Sequence, residues 1–432
     1  MLRTSVALAF IVVAVPPLAA QDSVPRGALT LDSVYRLVRT ASPRIAATNA
    51  LTAAAEARIA PARRPPDPQL QFGLMNRSLP GFGLSDPLGM NQIQVMQMVP
   101  FPGKLGLAGR VAAERAEGQR ARGAEVAWDT RARAAMNFYE IYRMDRSIAV
   151  AGETLRLLRD LGATARTMYG VGQGRQADVL RAQVEVARMD EELTRMRTER
   201  VAAAARLNAM LDRRSDQAVG SVVLPQFPES LPALDVLIAE AEANRPMVRA
   251  GEADVRSADA GMRLARREIW PDLTLGAQYG QRPMPEGTDH MISLMVGVTV
   301  PVFAGSRQLA MRREAEAMRL MAVADLEGMR ADTRGRVAEL YAAVQRSRRL
   351  AELYRGTILP QSRATVTSSL SSYRVGGVDF MTLLDNQMTV NRFRQELYQL
   401  EAEEGQALAE LEMLLGRAIF DAGRTAAEEP AK

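Results

Sequence analysis

Few side chains in this sequence are of the types that carry out chemistry at a protein site. The 432 residues include one histidine, His290, and no cysteine. His290 follows Asp289 in a Gly- and Pro-rich segment, residues 281–290, that we predict to be a loop. One imidazole and one carboxylate make a poor zinc site, because zinc sites usually have three or four protein ligands. We therefore interpret the pair as part of a solvated loop and predict neither a metal site nor a cofactor.

The 23 methionines are the other residues with metal chemistry, since thioethers bind soft metals such as copper and silver. Most of them, including Met189, Met196 and Met210, recur at helical or strand spacing, which favours an interpretation as core residues. Met96 and Met98 alternate along a predicted strand and would share one of its sides. For these two we keep contact with a soft metal as a hypothesis.

The rest of the composition argues against an enzyme and against a nucleic-acid partner. The sequence has no Gly-rich phosphate loop and no Ser/His/Asp arrangement, so we assign no catalytic residues. The net charge is +5, and arginines alternate with Glu and Asp along the predicted helices. A nucleic-acid-binding protein would instead concentrate its basic residues in a patch or stripe.

The predicted helices are unusually long. Residues 103–224 contain no proline, and only the cluster Tyr-Gly-Val-Gly-Gln-Gly at residues 169–174 interrupts their helical composition. About 65 residues precede the cluster and would form a helix of about 95 Å. A return helix of about 40 residues follows. This helical hairpin is typical of fibrous or tubular proteins rather than globular ones.

A second copy of the whole pattern follows about 203 residues later. Ser-Pro-Arg at residues 42–44 and Arg-Pro-Met at residues 245–247 each begin a predicted helix of about 20 residues. Two strands with apolar side chains at every second position follow in each copy. The predicted strands are residues 69–74 and 91–99 in the first copy, and 273–280 and 292–300 in the second. Loops at residues 78–90 and 281–290 connect them.

Each second strand ends in a motif where the apolar period changes from that of a strand to that of a helix. The first motif contains Pro100, Pro102 and Gly103, and the second contains Pro301 and Gly305. We predict that both are strand-to-helix hinges. The second long helix then runs from about residue 306 to the cluster Tyr-Arg-Val-Gly-Gly at residues 373–377, and we expect a kink at Pro360.

These elements divide the chain into five parts. Residues 1–20 have the early arginine, short apolar run and small final residues of a cleavable signal peptide, so the mature protein should begin near Gln21. The first repeat spans residues 21–214, a linker spans 215–232, the second repeat spans 233–420, and a disordered tail spans 421–432.

A membrane crossing must be made by strands, because no stretch of about 18 apolar residues occurs beyond residue 20. Four strands are too few to close a barrel, and an open sheet edge is not stable in lipid. Two chains would give a filled barrel of about eight strands and three an open one of about twelve. The predicted fold class is therefore mainly α with membrane β: a twofold internal repeat of long helical hairpins with four transmembrane strands per chain.

The repeat, the Val-Pro-Phe-Pro-Gly-Lys hinge, the paired Tyr-x-Val-Gly clusters and the closing Leu-Leu-Gly-Arg at residues 414–417 resemble the TolC-like outer-membrane efflux protein family. The hinge is most similar to its CusC/CzcC-type heavy-metal branch. The resemblance implies a homotrimeric α-barrel/β-barrel duct in the lipid of the Gram-negative outer membrane, with a large periplasmic extension. It also implies that the helical turns meet a periplasmic adaptor that is coupled to an inner-membrane pump. The turn residues concerned are Tyr169, Val171, Gly172, Tyr373, Val375 and Gly376.

The same resemblance implies a carboxylate that narrows the periplasmic mouth, and it assigns this role to Asp385. Asp178, at what we take to be the matching place in the first hairpin, is the second choice. Two departures from the family pattern stand out: Thr382 replaces a companion acid, and Val378 replaces an arginine that latches the closed pore in some members. The chain also lacks the lipidated N-terminal cysteine of one branch.

The function that follows is a passive duct that exports small molecules or metal cations. A duct for a type I protein secretion system is the alternative, because the duct itself need not select cargo. A periplasmic coiled-coil adaptor agrees less well with the sequence, because an adaptor normally has one helical hairpin and does not repeat a pair of strands with alternate apolar faces.

Overall fold

The computed structural model describes residues 29–76, 89–284 and 286–420. The expected signal peptide, the cleavage position near Gln21, the predicted tail at residues 421–432 and most of the predicted loop at residues 78–90 lie outside the described residues.

Two short helices, two strands and a long helical hairpin follow one another in this order twice. In the first copy these elements are α1 (Leu31–Ala41), α2 (Pro43–Ala57), the single turn α3 (Ile59–Ala62), β1 (Gln69–Met75), β2 (Met90–Val99), α4 (Lys104–Gly170) and α5 (Gln176–Met210). In the second they are α6 (Leu234–Asn244), α7 (Pro246–Arg267), β3 (Leu273–Met284), β4 (Gly287–Val298), α8 (Gln308–Leu353), a π-helical segment (Tyr354–Ile358), α9 (Leu359–Arg374) and α10 (Phe380–Leu415).

Helix α4 confirms the first long helix predicted from the sequence. It contains 67 residues, which corresponds to a length of about 100 Å. Its buried positions between Ala132 and Ala165 include many alanines, so neighbouring helices can approach closely. Helices α5, α7 and α10 pack along it.

The helices that precede the strands differ from the prediction. Pro43 and Pro246 do begin helices, and both occupy the first turn, where the missing N–H has no intrahelical partner to lose. However, α1 and α6 precede these prolines and were not predicted. Leu31, Val34 and Val38 of α1 are buried at the spacing of an amphipathic helix, so the signal was present in the sequence.

The segment at residues 215–232 packs against both copies. Val222 and Leu29 form an isolated parallel bridge, in which the Leu29 N–H donates to Ser221 O over 2.8 Å. The ring of Phe227 lies 6.0 Å from the rings of both Tyr139 and Phe420. This segment therefore contacts residues of both copies and connects them side by side.

The four strands form one antiparallel sheet in the order β1-β2-β3-β4. Its register separates two faces. The apolar face carries the large aliphatic and aromatic side chains, which are Leu70, Phe72, Leu74, Ile93, Val95, Val99, Leu273, Leu275, Tyr279, Ile292, Leu294, Val296 and Val298. The polar face carries amide, hydroxyl, thioether and glycine positions, which are Gln69, Gln71, Gly73, Gln92, Gln94, Met96, Met98, Thr274, Gly276, Gln278, Gly280, Met291, Ser293, Met295 and Gly297.

The predicted loop at residues 281–290 is wrong. Strand β3 continues to Met284 and β4 begins at Gly287, so His290 and Asp289 lie within β4 and pair with Gln281 and Arg282. Backbone pairing between the strands overrides the Gly- and Pro-rich composition here. Pro283 is compatible with this extension because beyond Gln281 the strand β3 is paired only with β4.

The second long helix accommodates Pro360 through a change of helix type. The proline lacks an N–H and its ring crowds the carbonyl four residues earlier, and the π-helical segment Tyr354–Ile358 ends two residues before it. The helix begins at Gln308, two residues later than predicted, after a series of turns that includes Pro301 and Gly305.

No helix within residues 29–76, 89–284 and 286–420 is both long and apolar enough to cross a membrane.

Candidate functional sites

The two helical turns have the same backbone geometry. Gly172 and Gly376 have φ of 77° and 75°, the left-handed conformation that glycine adopts without strain. The N–H of Gln173 donates to Met168 O over 2.9 Å, and the N–H of Gly377 donates to Ser372 O over 2.8 Å. This is the Schellman motif, which ends a helix at a glycine.

The side chains at the turns differ between the copies. Val171 and Val375 are exposed in both, at 64% and 83%. Tyr169 is 47% exposed, whereas Tyr373 is only 6% exposed and packs against the ring of Phe380 at 5.7 Å. In the single chain Tyr373 is therefore part of the core below the turn and offers little surface to a partner.

The two predicted constriction residues lie in different environments. Asp178 is half-buried in the first turn of α5 and close to Tyr373, whose pKa is raised by burial and then by the Asp178 carboxylate. Asp385 is exposed on α10, and its side chain has no hydrogen bond or ion pair with any residue that the structure describes.

The structure corrects the correspondence between these two acids. The turn glycines Gly172 and Gly376 align the hairpins, and α5 and α10 begin at the same distance beyond them. Asp178 is therefore equivalent to Thr382, one helical turn before Asp385. Thr382 itself donates its backbone N–H to the Asp379 side chain, and hydrogen bonds from Thr382 hold the pKa of Asp379 below its ordinary value.

The first hinge is tied to the second copy by Lys104. Its ammonium group donates to Trp270 O and to Asp272 Oδ1, both at 2.9 Å, and lies 3.4 Å from Glu268. Asp272 Oδ1 also accepts from the Phe101 N–H over 2.7 Å. One carboxylate thus holds the end of β2, the start of α4 and the start of β3 together.

Only one of the two hinge glycines is constrained by its surroundings. Gly103 has φ of 91°, and a Cβ there would lie 2.8 Å from a guanidinium nitrogen of Arg267, which itself donates to Pro102 O over 2.8 Å. Gly305 is under no such constraint in the second hinge, because a Cβ added there would meet no atom within 4 Å. Lys104 was missed at the level of sequence, although it is one of only two lysines among 55 basic residues.

Buried acids on α10 were also missed. Glu401 is 8% exposed, accepts from the Tyr142 hydroxyl over 2.6 Å, and pairs with Arg355 of the π-helical segment at 2.5 Å. Glu404 pairs with Arg348 at 2.6 Å, and burial raises the pKa of Glu404. Glutamates within the apolar stripe of a helix, between Leu400 and Leu408, were the available signal.

His290 is occupied by a contact within the sheet. Its Nδ1 atom lies 2.6 Å from the Tyr279 hydroxyl, and the two rings stack at 5.9 Å. Among the described residues no group of three or more His, Asp or Glu side chains is arranged to hold a metal ion. The histidine is therefore an aromatic residue of the apolar face near its far end.

The methionines separate as expected from the sequence. Met189 is buried, and Met196 and Met210 pack against apolar clusters between the helices. Met96 and Met98 instead lie on the polar face of the sheet.

Together these features, strands with one lipid-compatible face and helical hairpins far longer than a globular core requires, agree with the membrane protein expected from the sequence. The chain belongs to the outer membrane efflux protein family, whose model matches residues 34–213 and 237–417. It is an outer-membrane efflux channel with a large periplasmic helical domain. Channels of this family are transport ducts and not enzymes.

Three known proteins are similar to this chain, each over a different length. The cobalt-zinc-cadmium resistance protein CzcC of Cupriavidus metallidurans is 24% identical over 301 residues, which cover 68% of this chain and 69% of CzcC. The pyoverdine export outer membrane protein OpmQ of Pseudomonas putida is 28% identical over 192 residues, but these cover only 41% of this chain and 38% of OpmQ. The crystal structure of CusC has the same fold, with a TM-score of 0.77 at 15% identity, over 90% of this chain and 92% of CusC.

Proposed function

We propose that three copies of this chain form a passive duct, which carries small molecules or metal cations from a periplasmic adaptor and an inner-membrane pump to the exterior. The observation that carries the proposal is the four-stranded sheet, which has two chemically different faces and two unpaired outer strands, β1 and β4, among the described residues.

The apolar face is suited to lipid. Ile292, Leu294 and Val296 on β4 are 78%, 82% and 73% exposed in the single chain. Such a continuous apolar surface is unfavourable in water but not against acyl chains. The polar face, with its glutamines and glycines, is suited to a water-filled lumen.

The unpaired strands support assembly into a closed ring. Unpaired backbone groups in lipid cost several kcal/mol each, as an order of magnitude, so β4 of one copy should pair with β1 of the next. Helices α8 and α2 would extend this contact between neighbouring copies beyond the sheet. Met318, Leu320 and Met321 of α8 are at least half exposed, and α2 exposes small residues such as Ala50 and Ala54, between which these longer side chains can fit.

The turns are proposed to be the surface that meets the adaptor. Val171 and Val375 are the exposed apolar residues at the two tips, and Tyr169 adds half-exposed aromatic surface beside the first. Gly172 and Gly376 hold the backbone that presents them, and Tyr373 supports the second tip from within.

Asp385 is proposed to narrow the periplasmic mouth, as a ring of three carboxylates around the threefold axis. Such a ring attracts cations. Asp178 is the weaker candidate, since it lies one turn closer to the tip and beside Tyr373.

The relatives favour small cargo over protein cargo. The name of OpmQ refers to pyoverdine export, and that of CzcC refers to cobalt, zinc and cadmium resistance. These names support a small-molecule or metal efflux duct over a type I protein secretion duct for this chain.

Assembly is tested on the protein extracted from outer membranes in detergent. Light scattering should give the mass of three chains, and reconstitution into planar bilayers should give discrete conductance steps. A stable monomer, or a trimer that does not conduct ions, contradicts the proposal.

Docking is tested by Val171→Asp and Val375→Asp, which leave the turn glycines intact. Cross-linking to the cognate adaptor and export should both fall, whereas conductance in bilayers should remain. Val236→Asp is the matched control, since Val236 is 52% exposed on α6, away from the tips. Cross-linking that persists in both tip variants rules out docking through the turns.

A further inference from the structure

We propose that Met96 and Met295 form a binding site for a soft monovalent cation, Cu⁺ or Ag⁺, on the polar face of the sheet. The site consists of the side chains of Met96 and Met295, which flank Gly276, the residue between them on the central strand.

The register brings the two methionines to one row. Met96 of β2 pairs with Gly276 of β3, and Gly276 pairs with Met295 of β4. Their backbones are two strand spacings apart, which is about 10 Å. The gap is too wide for contact between side chains that point straight out of the sheet, so the side chains must lean toward each other to share a ligand.

The structure shows that they do lean toward each other. A Cβ added to Gly276 would lie 3.3 Å from the terminal methyl carbon of Met295 and 3.7 Å from Cγ of Met96. Both side chains therefore occupy the space above the glycine, from opposite sides. Because glycine has no side chain, that space is left to the two methionine side chains.

The chemistry of the row selects a soft cation. Thioether sulfur is a soft donor that suits Cu⁺, whereas carboxylate and carbonyl oxygens suit harder ions. From the row of Thr274 to the row of Gly280, the polar face that the structure describes carries no charged side chain. A divalent cation such as Zn²⁺ therefore has no carboxylate in these rows to bind.

The site is accessible from the polar face and insensitive to protons. Met295 is 38% exposed and Met96 is half-buried, so an ion can enter without unfolding the sheet. A thioether has no proton to lose near neutral pH, so affinity should be constant between about pH 6 and 8, unlike that of a histidine site. That this ion is cargo rests on the proposed duct, whereas binding itself does not.

The test is titration of the full chain, purified in detergent, with Ag⁺, and with Cu⁺ under a reductant, followed by calorimetry. We expect one ion per chain. Met96→Leu and Met295→Leu should each weaken binding by more than the roughly 10-fold that loss of a supporting residue costs a metal site. Gly276→Val should weaken it as much, because it keeps both sulfurs but fills the space between them.

Met311→Leu is the matched control, since Met311 is 42% exposed but lies on α8, and it should bind Ag⁺ as the wild type does. Circular dichroism and light scattering verify that each variant is folded and assembled. The proposal is overturned by an absence of saturable Ag⁺ binding in the wild type, by unchanged binding in both methionine variants, or by displacement of Ag⁺ with equimolar Zn²⁺. None of these outcomes alters bilayer conductance, which tests the duct separately.

Discussion

The ammonium nitrogen of Lys104 lies 2.9 Å from Oδ1 of Asp272, and this contact joins the first strand-to-helix hinge to the start of β3. The lysine side chain is 7% exposed, and its partners Asp272 and Glu268 are 22% and 35% exposed. The pair is therefore shielded from water on the lysine side and partly solvated on the other.

Lys104→Met should lower the free energy of unfolding by about 2 kcal/mol, less than the loss of a fully buried pair, because solvent can reach the remaining carboxylates. Thermal unfolding followed by circular dichroism measures the change. Arg36→Met is the control: Arg36 pairs with Asp32 at 68% exposure, and its loss should change stability by less than about 0.5 kcal/mol. Equal effects of the two substitutions would contradict the anchoring role of Lys104.

Glu404 should make the helical domain less stable as the pH rises. Burial raises the pKa of Glu404 above its ordinary value of 4.5, so the folded chain holds this proton more tightly than the unfolded chain does. Its contribution to stability is complete below about pH 4.5 and decreases as the pH rises through the raised pKa.

Glu404→Gln removes this dependence, so wild type and variant should be alike at low pH and the variant should gain relative stability as the pH rises. A difference of one unit between the pKa in the folded and in the unfolded chain corresponds to about 1.4 kcal/mol. Glu153→Gln is a control of opposite sign, because a hydrogen bond from Arg394 lowers the pKa of Glu153. The wild type should therefore become more stable relative to Glu153→Gln as the pH rises. If the stability difference between wild type and variant changed with pH in the same direction for Glu404→Gln and for Glu153→Gln, Glu404 would not behave as described.

Gly405 should tolerate no side chain. A Cβ at this position would lie 2.5 Å from the ring atom Cζ of Tyr139, which is fully buried on α4. Gly405→Ala should therefore destabilise the fold by about 1–3 kcal/mol through overpacking. In Gly335→Ala the new Cβ meets no atom within 4 Å, and the higher helix propensity of alanine should stabilise α8 by up to about 1 kcal/mol. Urea unfolding of both variants distinguishes these outcomes, and a neutral Gly405→Ala would show that Tyr139 can move aside.

Asp385→Ala should lower the cation selectivity of the reconstituted channel and weaken its block by trivalent cations, because the ring loses its negative charge. Reversal potentials in asymmetric salt measure selectivity. Asp190→Ala removes an exposed acid from α5 and should leave both properties unchanged. If the two variants behave alike, Asp385 is an ordinary solvated residue of the helix.

The sequence predicts the long elements well, because their signals are local and repeated. Gly172 and Gly376 end helices of uniform composition, and the alternation from Leu273 to Tyr279 is sufficient for a strand. The physical basis is backbone geometry, which depends on residue type over a few positions.

Side-chain neighbourhoods were harder to predict, because they depend on which elements pack together. The contact between Lys104 and Asp272 joins residues far apart in sequence, and burial of Tyr373 but not Tyr169 depends on how the second hairpin packs. Asp178 was matched to Asp385 for a simpler reason. The two residues were aligned because both are acids, and not by their distance from the starts of α5 and α10.

The different exposure of the two turn tyrosines has a consequence for the symmetry of an assembly. Tyr169 is 47% exposed and Tyr373 only 6% exposed, so the two helical tips of one chain present different surfaces. A ring of three chains would present six tips of two alternating kinds, and so would have true threefold but only approximate sixfold symmetry. A partner ring of six identical subunits would then have to bind as three pairs, with the two members of each pair in different contacts.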